Sequence, residues 1–443
     1  MYSQFMSLQE KGERIVFHLL IFSLFLVIVN MLVFKTIVGI ALIIGIILLL
    51  ITLLRPKLIY LFLISLISID GFQAFEGVSY AKFLGLILSV GLGLKLLMTK
   101  GTIPKDNSYK YFFLFFIGTL VSFAYAKNIS VSMQIYTTFI SLFFLYIFTR
   151  YFLKTEKDIH IALDFLFLAT IVSFVYIKIK GMMIYNVESD VPRFAAGIGD
   201  SNEYACYIMV LLPLVVYRAM NNMGRLKYLY AACGIILFTI LIYTGSRGGV
   251  LGFLGALVIF IQYYGMRKLK LILLILLVVA VSLYVFIPEN YLERVATITA
   301  PEGIDSSKDA RTENYRVALK MFLDRPLAGF GLNNFQFYSR DYGASRGMVV
   351  HNTYLEILTG GGLLSFIPFS LILMNTWKKT KIKTNYEKNT RDLMVCLKAS
   401  FVSLLITTFF ISEDHAKIYW FFLALTSSAF YIANYNKYDR TSI

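Results

Sequence analysis

Long apolar stretches separated by short polar segments dominate this chain. A helix that crosses a bilayer needs roughly 20 apolar residues, and about 14 stretches meet that requirement. They begin near residues 15, 36, 58, 82, 110, 130, 159, 203, 227, 249, 269, 353, 392 and 417. The pattern therefore predicts an all-α, polytopic membrane protein with about 12–14 transmembrane helices. The first stretch is too long for a signal-peptide core and has no small-residue cleavage site, so we expect a retained helix.

The composition agrees with a membrane protein. Hydrophobic residues make up 58% of the 443 residues and charged residues 15%, whereas soluble domains have about 25% charged residues. The three cysteines, Cys206, Cys233 and Cys396, lie within apolar stretches and lack the spacing of a disulfide framework or a metal site.

The distribution of basic residues predicts the orientation. If the N-terminus is cytoplasmic, the inside loops hold about 25 of the 42 Lys and Arg residues, as the positive-inside bias requires. Both ends are then cytoplasmic. The same bias accounts for most of the net charge of +16, so this charge does not indicate a nucleic-acid partner.

Two of the predicted outside connections are long, from about residue 178 to 202 and from about residue 288 to 352. No internal repeat or low-complexity tract divides the chain. We therefore predict a single membrane domain over residues 1–443, with one large outer loop at residues 288–352.

The large outer loop contains a helix-like segment at about residues 311–323. Its pattern puts Tyr315, Leu319 and Phe322 on one apolar stripe. Pro326 is expected to end this helix, because proline cannot continue one.

Four polar features lie on the same predicted outer side of the membrane. They are Arg193 in PRFAAGIGDSNEYA, Arg247 in TGSRGG, Arg311 together with Arg316, and the pair His351-Asn352. Outside arginines run against the positive-inside bias, which favours a functional role for the set.

Each feature also has an ordinary structural interpretation. An arginine at a helix end commonly extends to the lipid interface, and a lone interfacial histidine is unremarkable. Thr353-x-x-Glu356 has the pattern of a capping box that starts the next helix, which would give Glu356 a structural role. Glu188-x-Asp190 resembles a divalent-metal pair, but two loop carboxylates are a weak indication of a metal site.

Residues 190–365 contain motifs that resemble the bacterial O-antigen ligase and O-antigen polymerase family. The matching residues are Arg193, Gly197 and Asn202; Ser246, Arg247 and Gly248; Arg311, Tyr315, Pro326, Gly329 and Gly331; and His351, Asn352, Tyr354, Leu355 and Glu356. They occur in the family's order and spacing. Tyr315 stands where the family often has tryptophan.

The resemblance implies a helical, GT-C-like glycosyltransferase of the bacterial cytoplasmic membrane whose active site faces outward. The implied partners are an undecaprenyl-diphosphate-linked glycan, an acceptor hydroxyl on lipid A-core or another glycan, and membrane lipids. Neither a metal nor another cofactor is implied. An acceptor that attacks directly would invert the anomeric centre.

The family match also implies roles that suit the chemistry of these side chains. Arg193 and Arg311 would bind the diphosphate, because guanidinium groups stabilise the charge that grows on it. Arg247 and Lys82 are further candidates for this contact. His351 would be the general base, since an ordinary histidine titrates near neutral pH, and Glu356 is the second choice.

Three other functions compete with a ligase. A polymerase would use the same donor chemistry to extend a lipid-linked glycan, so the motifs do not separate the two. A flippase or other transporter would favour internal repeats and charges within the membrane, and Lys398 is the main charge inside a predicted span. A structural partner in an envelope assembly would leave the His-Asn motif without a role.

Overall fold

The computed structural model describes residues 36–69, 73–75, 78–180, 184–185, 192–195, 200–265, 306–345, 349–412 and 414–435. For 36–44, 73–75, 78, 184–185, 192–193, 306–310 and 435, only the backbone is described. The predicted spans that begin near residues 15 and 269 lie outside these ranges, so they stay predictions.

Helices account for nearly all of the described secondary structure. Those before residue 265 are α1 Thr36–Leu54, α2 Pro56–Ser65, α3 Tyr80–Thr99, α4 Tyr109–Val121, α5 Ile129–Phe152, α6 Glu156–Lys180, α7 Ser201–Met220, α8 Arg225–Thr244 and α9 Arg247–Tyr264. Those after residue 305 are α10 Ser306–Asp324, α11 Phe335–Tyr338, α12 Thr353–Lys379, α13 Lys388–Thr407 and α14 Lys417–Tyr435. Four 3₁₀ turns lie at Leu66–Ile69, Ser122–Tyr125, Ser339–Tyr342 and Thr408–Phe410.

Within the described ranges, strands are limited to two short antiparallel ladders. One joins β1 Gln73–Phe75 with β2 Val78–Ser79, and the other joins β3 Ile184–Tyr185 with β4 Pro192–Arg193. The prediction of an all-α, polytopic membrane protein is confirmed, because eight described helices are long and apolar enough to cross a membrane. Three further apolar segments, 45–54 within α1, 56–69 and 109–125, are shorter.

The chain folds into two compact units. The smaller unit contains residues up to 66 and 73–104, and the larger contains residues 67–72 and 105–443. In the smaller unit, the Lys95 ammonium donates a hydrogen bond to the Leu53 carbonyl at 3.2 Å, which ties α3 to α1. The single domain over residues 1–443 stays a prediction.

The core of the larger unit is built around α7 and α13. In the most apolar 18-residue stretch of α7, 78% is buried, compared with 22% in that of α9. Small polar side chains join these helices, since Ser400 donates to the Val210 carbonyl at 2.8 Å and Ser403 to the Gly252 carbonyl at 2.7 Å. Such hydrogen bonds and small residues hold helices together where lipid offers no hydrophobic driving force.

Helix α12 is broken at Gly362, whose φ of 59° and ψ of −163° are not helical. The segment Pro326–Gly331 pairs with the broken turn. Phe330 and Gly331 donate backbone hydrogen bonds to the carbonyls of Thr359 and Gly360, each at 2.9 Å. Irregular backbone at a membrane helix is tolerated only where its polar groups are satisfied in this way.

Two further bonds complete this pairing. The N–H groups of Leu363 and Leu364 donate to the carbonyls of Pro326 and Leu327, at 2.8 and 3.1 Å. A Cβ at Gly362 would lie 2.3 Å from the Leu327 oxygen, so only glycine fits both the backbone conformation and the contact. The glycine run of α12 and the Pro-Leu-x-Gly-x-Gly run therefore form one structural element.

Helix α10 forms as predicted and ends at Asp324, two residues before Pro326. Of the predicted stripe, Tyr315 packs against the neighbouring core, whereas Leu319 is 49% exposed. The face that packs inward instead carries Val317, Ala318 and Met321, which form a small core with Phe330, Phe335, Ala344 and Val350. The sequence pattern misled because a second row of leucines lies on the opposite face.

Candidate functional site

His351 occupies a left-handed turn immediately before α12. Its φ of 58° is positive, which among the described non-glycine residues occurs only here and at Lys100 and Asn333. A left-handed conformation costs roughly 1–2 kcal/mol for a residue with a Cβ. Such conformations persist where surrounding contacts enforce them, and they concentrate at functional sites. The His351 residue is half-buried.

Asn352 holds this turn by capping α12. Its side-chain oxygen accepts hydrogen bonds from the N–H groups of Tyr354 and Leu355, both at 3.0 Å, and the residue is 1% exposed. The capping box predicted for Thr353 is therefore wrong. The cap lies one residue earlier, because the short asparagine amide reaches two free N–H groups, while the Thr353 hydroxyl donates to the Ile411 carbonyl at 2.7 Å.

Glu356 lies in the first turn of α12, just after His351, and is 4% exposed. One carboxylate oxygen accepts hydrogen bonds from the Val350 N–H at 3.3 Å and the Ser412 hydroxyl at 3.2 Å. These contacts connect the segment before His351 to the segment after the 3₁₀ turn Thr408–Phe410. The predicted structural role of Glu356 thus takes a different form from a capping box.

Tyr315 joins α10 to the His351 turn. Its hydroxyl lies 3.2 Å from the His351 carbonyl oxygen and 3.2 Å from the Phe409 carbonyl oxygen. Burial raises the pKa of the Tyr315 phenol, whereas the nearby Arg311 guanidinium and a hydrogen bond with Asn352 lower it. Arg311, one helical turn before Tyr315, and the His-Asn turn thus both neighbour Tyr315.

The Ser246-Arg247-Gly248 motif begins α9 next to the same 3₁₀ turn. The Ser246 hydroxyl caps the helix by accepting from the Gly249 N–H at 3.2 Å. A Cβ at Gly248 would lie 3.3 Å from the Phe410 side chain. This end of α9 therefore packs against Phe410, the neighbour of Phe409 in the chain. Arg247 follows the cap as the first helical residue.

The backbone of the Arg193 segment is attached to the same region. β4 contains Arg193, which pairs with Ile184 of β3. The next residue, Phe194, donates a backbone hydrogen bond to the Tyr243 carbonyl at 3.0 Å. Tyr243 lies four residues before Arg247, so the segments that carry both arginines adjoin. The Arg193 side chain is outside the described part of the structure.

The described structure does not test the placement of the other sequence candidates relative to His351. Lys82 lies in the first turn of α3 in the smaller unit, where its N–H donates to the Ser79 hydroxyl at 3.3 Å. Glu188, Asp190 and Gly197 lie outside the described residues. Within the described residues, no group of three or more His, Cys, Asp or Glu side chains is arranged to hold a metal ion.

A second histidine, His415, lies in the loop before α14 and contacts a carboxylate. Its Nδ1 is 3.3 Å from Asp414 Oδ1, and the two side chains are 40% and 7% exposed. Burial acts to lower the pKa of His415, but the Asp414 carboxylate outweighs it and raises the pKa to about 9. Glu203 and Glu356 act in the same direction. At neutral pH, His415 is therefore a cation and a poor proton acceptor.

Lys398, the charge inside a predicted span, lies between aromatic side chains. Its ammonium donates to the Tyr263 hydroxyl at 3.1 Å and lies 4.7 Å from the centre of the Trp377 ring. Tyr263 and Trp377 belong to the last turns of α9 and α12. The Lys398 charge thus reaches the helix ends, as an interfacial lysine does.

The described geometry joins three motifs that are far apart in sequence. Arg311, the His351-Asn352 turn and the start of α9 surround Tyr315 and the 3₁₀ turn Thr408–Phe410. The sequence identified these motifs but not the connecting hydroxyl of Tyr315, because an aromatic residue on a helix is usually a packing residue. The role of Asn352 as the helix cap was signalled by its position directly before the apolar run.

Comparison with known proteins shows what this chain is similar to. Residues 232–370 match a family model described as O-antigen ligase. Among curated proteins, the teichuronic acid biosynthesis protein TuaE of Bacillus subtilis (strain 168) is 21% identical over 351 residues, which cover 72% of this chain and 70% of that protein. The resemblance to the O-antigen ligase family is confirmed.

Proposed function

We propose that this protein is an inverting glycosyltransferase that moves a saccharide from undecaprenyl diphosphate to an acceptor hydroxyl. The observation that carries the proposal is the hydrogen bond between Tyr315 and the His351 carbonyl, which holds the Arg311 helix against the His-Asn turn. A cation for the diphosphate and a base for the acceptor then belong to one site.

In the proposed reaction, the acceptor oxygen attacks the anomeric carbon as the bond from that carbon to the diphosphate oxygen breaks. The electron pair leaves with the diphosphate, and the acceptor proton passes to the His351 imidazole. Arg311 and Arg193 stabilise the charge that develops on the leaving group, with Arg247 as a further contact. Lys82, at a predicted outer helix end, remains a weaker candidate for this contact.

His351 is preferred over two other groups as the base. Glu356 is buried and its carboxylate accepts hydrogen bonds from Val350 and Ser412, which suits a structural role. His415 carries a proton at neutral pH because of Asp414. A general base must be both accessible and unprotonated at working pH.

The second candidate function is a polymerase that extends a lipid-linked glycan. It is supported by the relative from Bacillus subtilis, whose name refers to the biosynthesis of a polysaccharide, teichuronic acid. The donor chemistry would be the same, and only the acceptor would differ. Addition of glycan to lipid A-core would support the ligase, and growth of a lipid-linked chain would support the polymerase.

The test is transfer by the purified protein from an undecaprenyl-diphosphate-linked saccharide. We expect a product with inverted anomeric configuration, no turnover with a nucleotide sugar, and full activity in EDTA. Retention of configuration would contradict direct attack. Loss of activity in EDTA that a divalent ion restores would contradict the metal-free reaction and direct attention to Glu188 and Asp190.

We further propose that the site faces the outer side of the bacterial cytoplasmic membrane. The bias of basic residues towards the opposite loops supports this orientation. Reporter fusions at Lys308 and His351 are expected to show an outer location, and fusions at Lys381 an inner one. A cytoplasmic signal at His351 would contradict the use of an outward-facing lipid-linked donor.

A further inference from the structure

Two exposed leucines lie on one face of α10, and a third follows shortly after the helix ends. Leu319, Leu323 and Leu327 are spaced four residues apart and are 49%, 75% and 64% exposed. Residues four apart lie on one face of a helix, and the first two lie within α10. Burial of α10 against the protein thus leaves a second apolar row uncovered.

This row continues onto the surface of a predicted transmembrane helix. The Leu327 carbonyl accepts the hydrogen bond from Leu364 of α12 at 3.1 Å. Leu364 and Ile367 are 43% and 52% exposed on a helix that is long and apolar enough to span the membrane. Leu327, the last leucine of the row, therefore adjoins the exposed apolar surface of α12.

Two cations lie beside the leucines on the same helix. Arg316 and Lys320 are one turn apart, and Lys320 is exposed. A row of leucines flanked by Lys or Arg is the composition of a helix that lies in the interface of a bilayer, with its apolar side in the acyl chains and its cations at the headgroups. Exposing these leucine side chains to water would be unfavourable, and a solvent-facing helix surface has no need of apolar residues in a row.

We propose that α10 lies in the lipid interface on the His351 side of the membrane. Leu319, Leu323 and Leu327 contact acyl chains, and Arg316 and Lys320 contact the phosphates of anionic phospholipids. The membrane is preferred to a protein partner because Leu327 adjoins the exposed apolar surface of α12, which is long and apolar enough to span a membrane, and because the two charges beside Leu319 and Leu323, Arg316 and Lys320, are positive.

This placement has a consequence that rests on the proposed function. Arg311 lies on the same helix as the leucines, so α10 would hold its guanidinium near the depth of lipid phosphates. A diphosphate on a membrane-bound carrier could then reach Arg311 by lateral diffusion. α10 would thus set the depth of the site as well as carry one of its cations.

The experiment compares nitroxide labels at neighbouring positions of α10 in vesicles that contain phosphatidylglycerol. The variants are Leu319→Cys, Leu323→Cys and, as the matched control, Asp324→Cys. Asp324 is exposed but lies about 100° around the helix from Leu323. The three native cysteines are buried, so labelling is directed to the introduced thiols.

Accessibility to oxygen, which concentrates in lipid, is compared with accessibility to a water-soluble nickel chelate. We expect oxygen to relax the labels at both leucine positions more than nickel, and the reverse at Asp324. Nickel access at all three positions would overturn the proposal in favour of a water-facing helix. Protection of the leucine labels from both reagents would overturn it in favour of a protein contact.

The charge contact is tested by replacing Arg316 and Lys320 with glutamine. In anionic vesicles, the Leu323 label of the double variant is expected to be shallower than with both cations present. In neutral phosphatidylcholine vesicles, the replacement is expected to have little effect. Equal depths in all four samples would remove the phosphate contact from the proposal.

A functional comparison separates this inference from the proposed reaction. Leu323→Glu is expected to lower transfer from the long-chain donor in vesicles, while transfer from a short-chain, water-soluble donor in detergent is retained. Equal transfer by Leu323→Glu and the unaltered protein in vesicles would contradict the depth-setting role. Absence of transfer by the unaltered protein would contradict the proposed function, and the label measurements would still decide the lipid contact.

Discussion

The two ends of α12 carry charged side chains in different arrangements. At the end near Lys379, a carboxylate and two cations are buried and hydrogen-bonded to one another. At the end near His351, Arg311 is half-buried and forms no ion pair with another described residue. The 27 residues of α12 separate these two regions.

The charged side chains around Lys379 are paired with one another. The Asp106 carboxylate accepts from Lys379 Nζ at 2.7 Å, Arg150 Nε at 3.1 Å and the Tyr146 hydroxyl at 2.8 Å, and it also contacts Ser427. The three charged side chains are at most 6% exposed. These contacts join α5, α12 and α14 to the segment before α4.

The difference shows how a structural charge cluster can be distinguished from a candidate site. Around Asp106, each charged group has internal partners and is removed from solvent. Around His351, the backbone is fixed by Tyr315 and Asn352, while Arg311 and His351 keep partial exposure. A rigid frame that holds partly exposed polar side chains is the arrangement that a binding site requires.

The largest expected effect is on stability and comes from Asp106→Asn. Removing one partner of a buried ion pair typically costs about 3–5 kcal/mol, because the remaining charge stays buried. Thermal unfolding in detergent is expected to show a large decrease in melting temperature. Asp341→Asn is the matched control, because its pair with Lys127 is exposed and such pairs contribute about 0–1 kcal/mol. Equal stabilities of both variants would contradict the structural role of the buried cluster.

Acid unfolding is a second test of the stability that the Asp106 cluster contributes. Burial acts to raise the pKa of Asp106, but the Lys379 ammonium outweighs it and lowers the pKa from 3.8 to about 2. A lowered pKa in the folded state stabilises the protein above pH 3.8, and this contribution is lost as the pH falls through about 2. The Asp106→Asn protein is expected to lack this component of acid unfolding.

At the other end, Arg311→Ala is expected to reduce turnover while the melting temperature is retained. Losing one donor to a developing charge commonly lowers a rate on the order of 100-fold. Arg193→Ala should behave in the same way, and Arg311→Lys should restore little activity if the contact is bidentate. Arg340→Ala, an exposed arginine of the same outer loop, is the control. Normal turnover in both the Arg311 and Arg193 variants would remove them from the donor site.

A smaller effect is expected from Tyr315→Phe, which removes only the hydroxyl that contacts the His351 carbonyl. A hydrogen bond of this kind contributes about 0.5–1.5 kcal/mol, which corresponds to a several-fold loss of turnover. Because the substitution acts through the position of His351, donor binding should change less than kcat. Unchanged kcat and KM would mean that Tyr315 acts only in packing.

The comparison of the two ends also shows what the sequence could predict. Apolar stretches predicted where the helices begin, and the basic residues of the loops predicted an orientation. The sequence motifs identified Arg311, Arg247 and His351 but not the broken turn at Gly362, because its four backbone hydrogen bonds come from a distant segment. The Asp106 cluster was not predicted for the same reason, since its partners are up to 321 residues apart.

The smallest expected effect concerns His415. Because its folded-state pKa is raised from 6.5 to about 9, protonated His415 stabilises the protein below pH 6.5, and this contribution is lost as the pH rises through about 9. With 40% of its side chain exposed, the effect should be small. His415→Gln is expected to flatten the alkaline decrease in melting temperature. An unchanged profile would mean that the Asp414 contact does not stabilise the protein.

The central claim is that the catalytic site lies at the His351 end of α12. Its most direct test is glycosyl transfer by the His351→Ala protein, measured together with donor binding and melting temperature. We expect turnover to be abolished while the lipid diphosphate still binds, because the arginines remain, and the melting temperature to stay close to that of the unaltered protein. The ascending limb of the pH profile, which reflects imidazole deprotonation, should disappear with it. Substantial turnover by His351→Ala, together with an inactive but folded Glu356→Gln protein, would contradict the account and assign the base to Glu356.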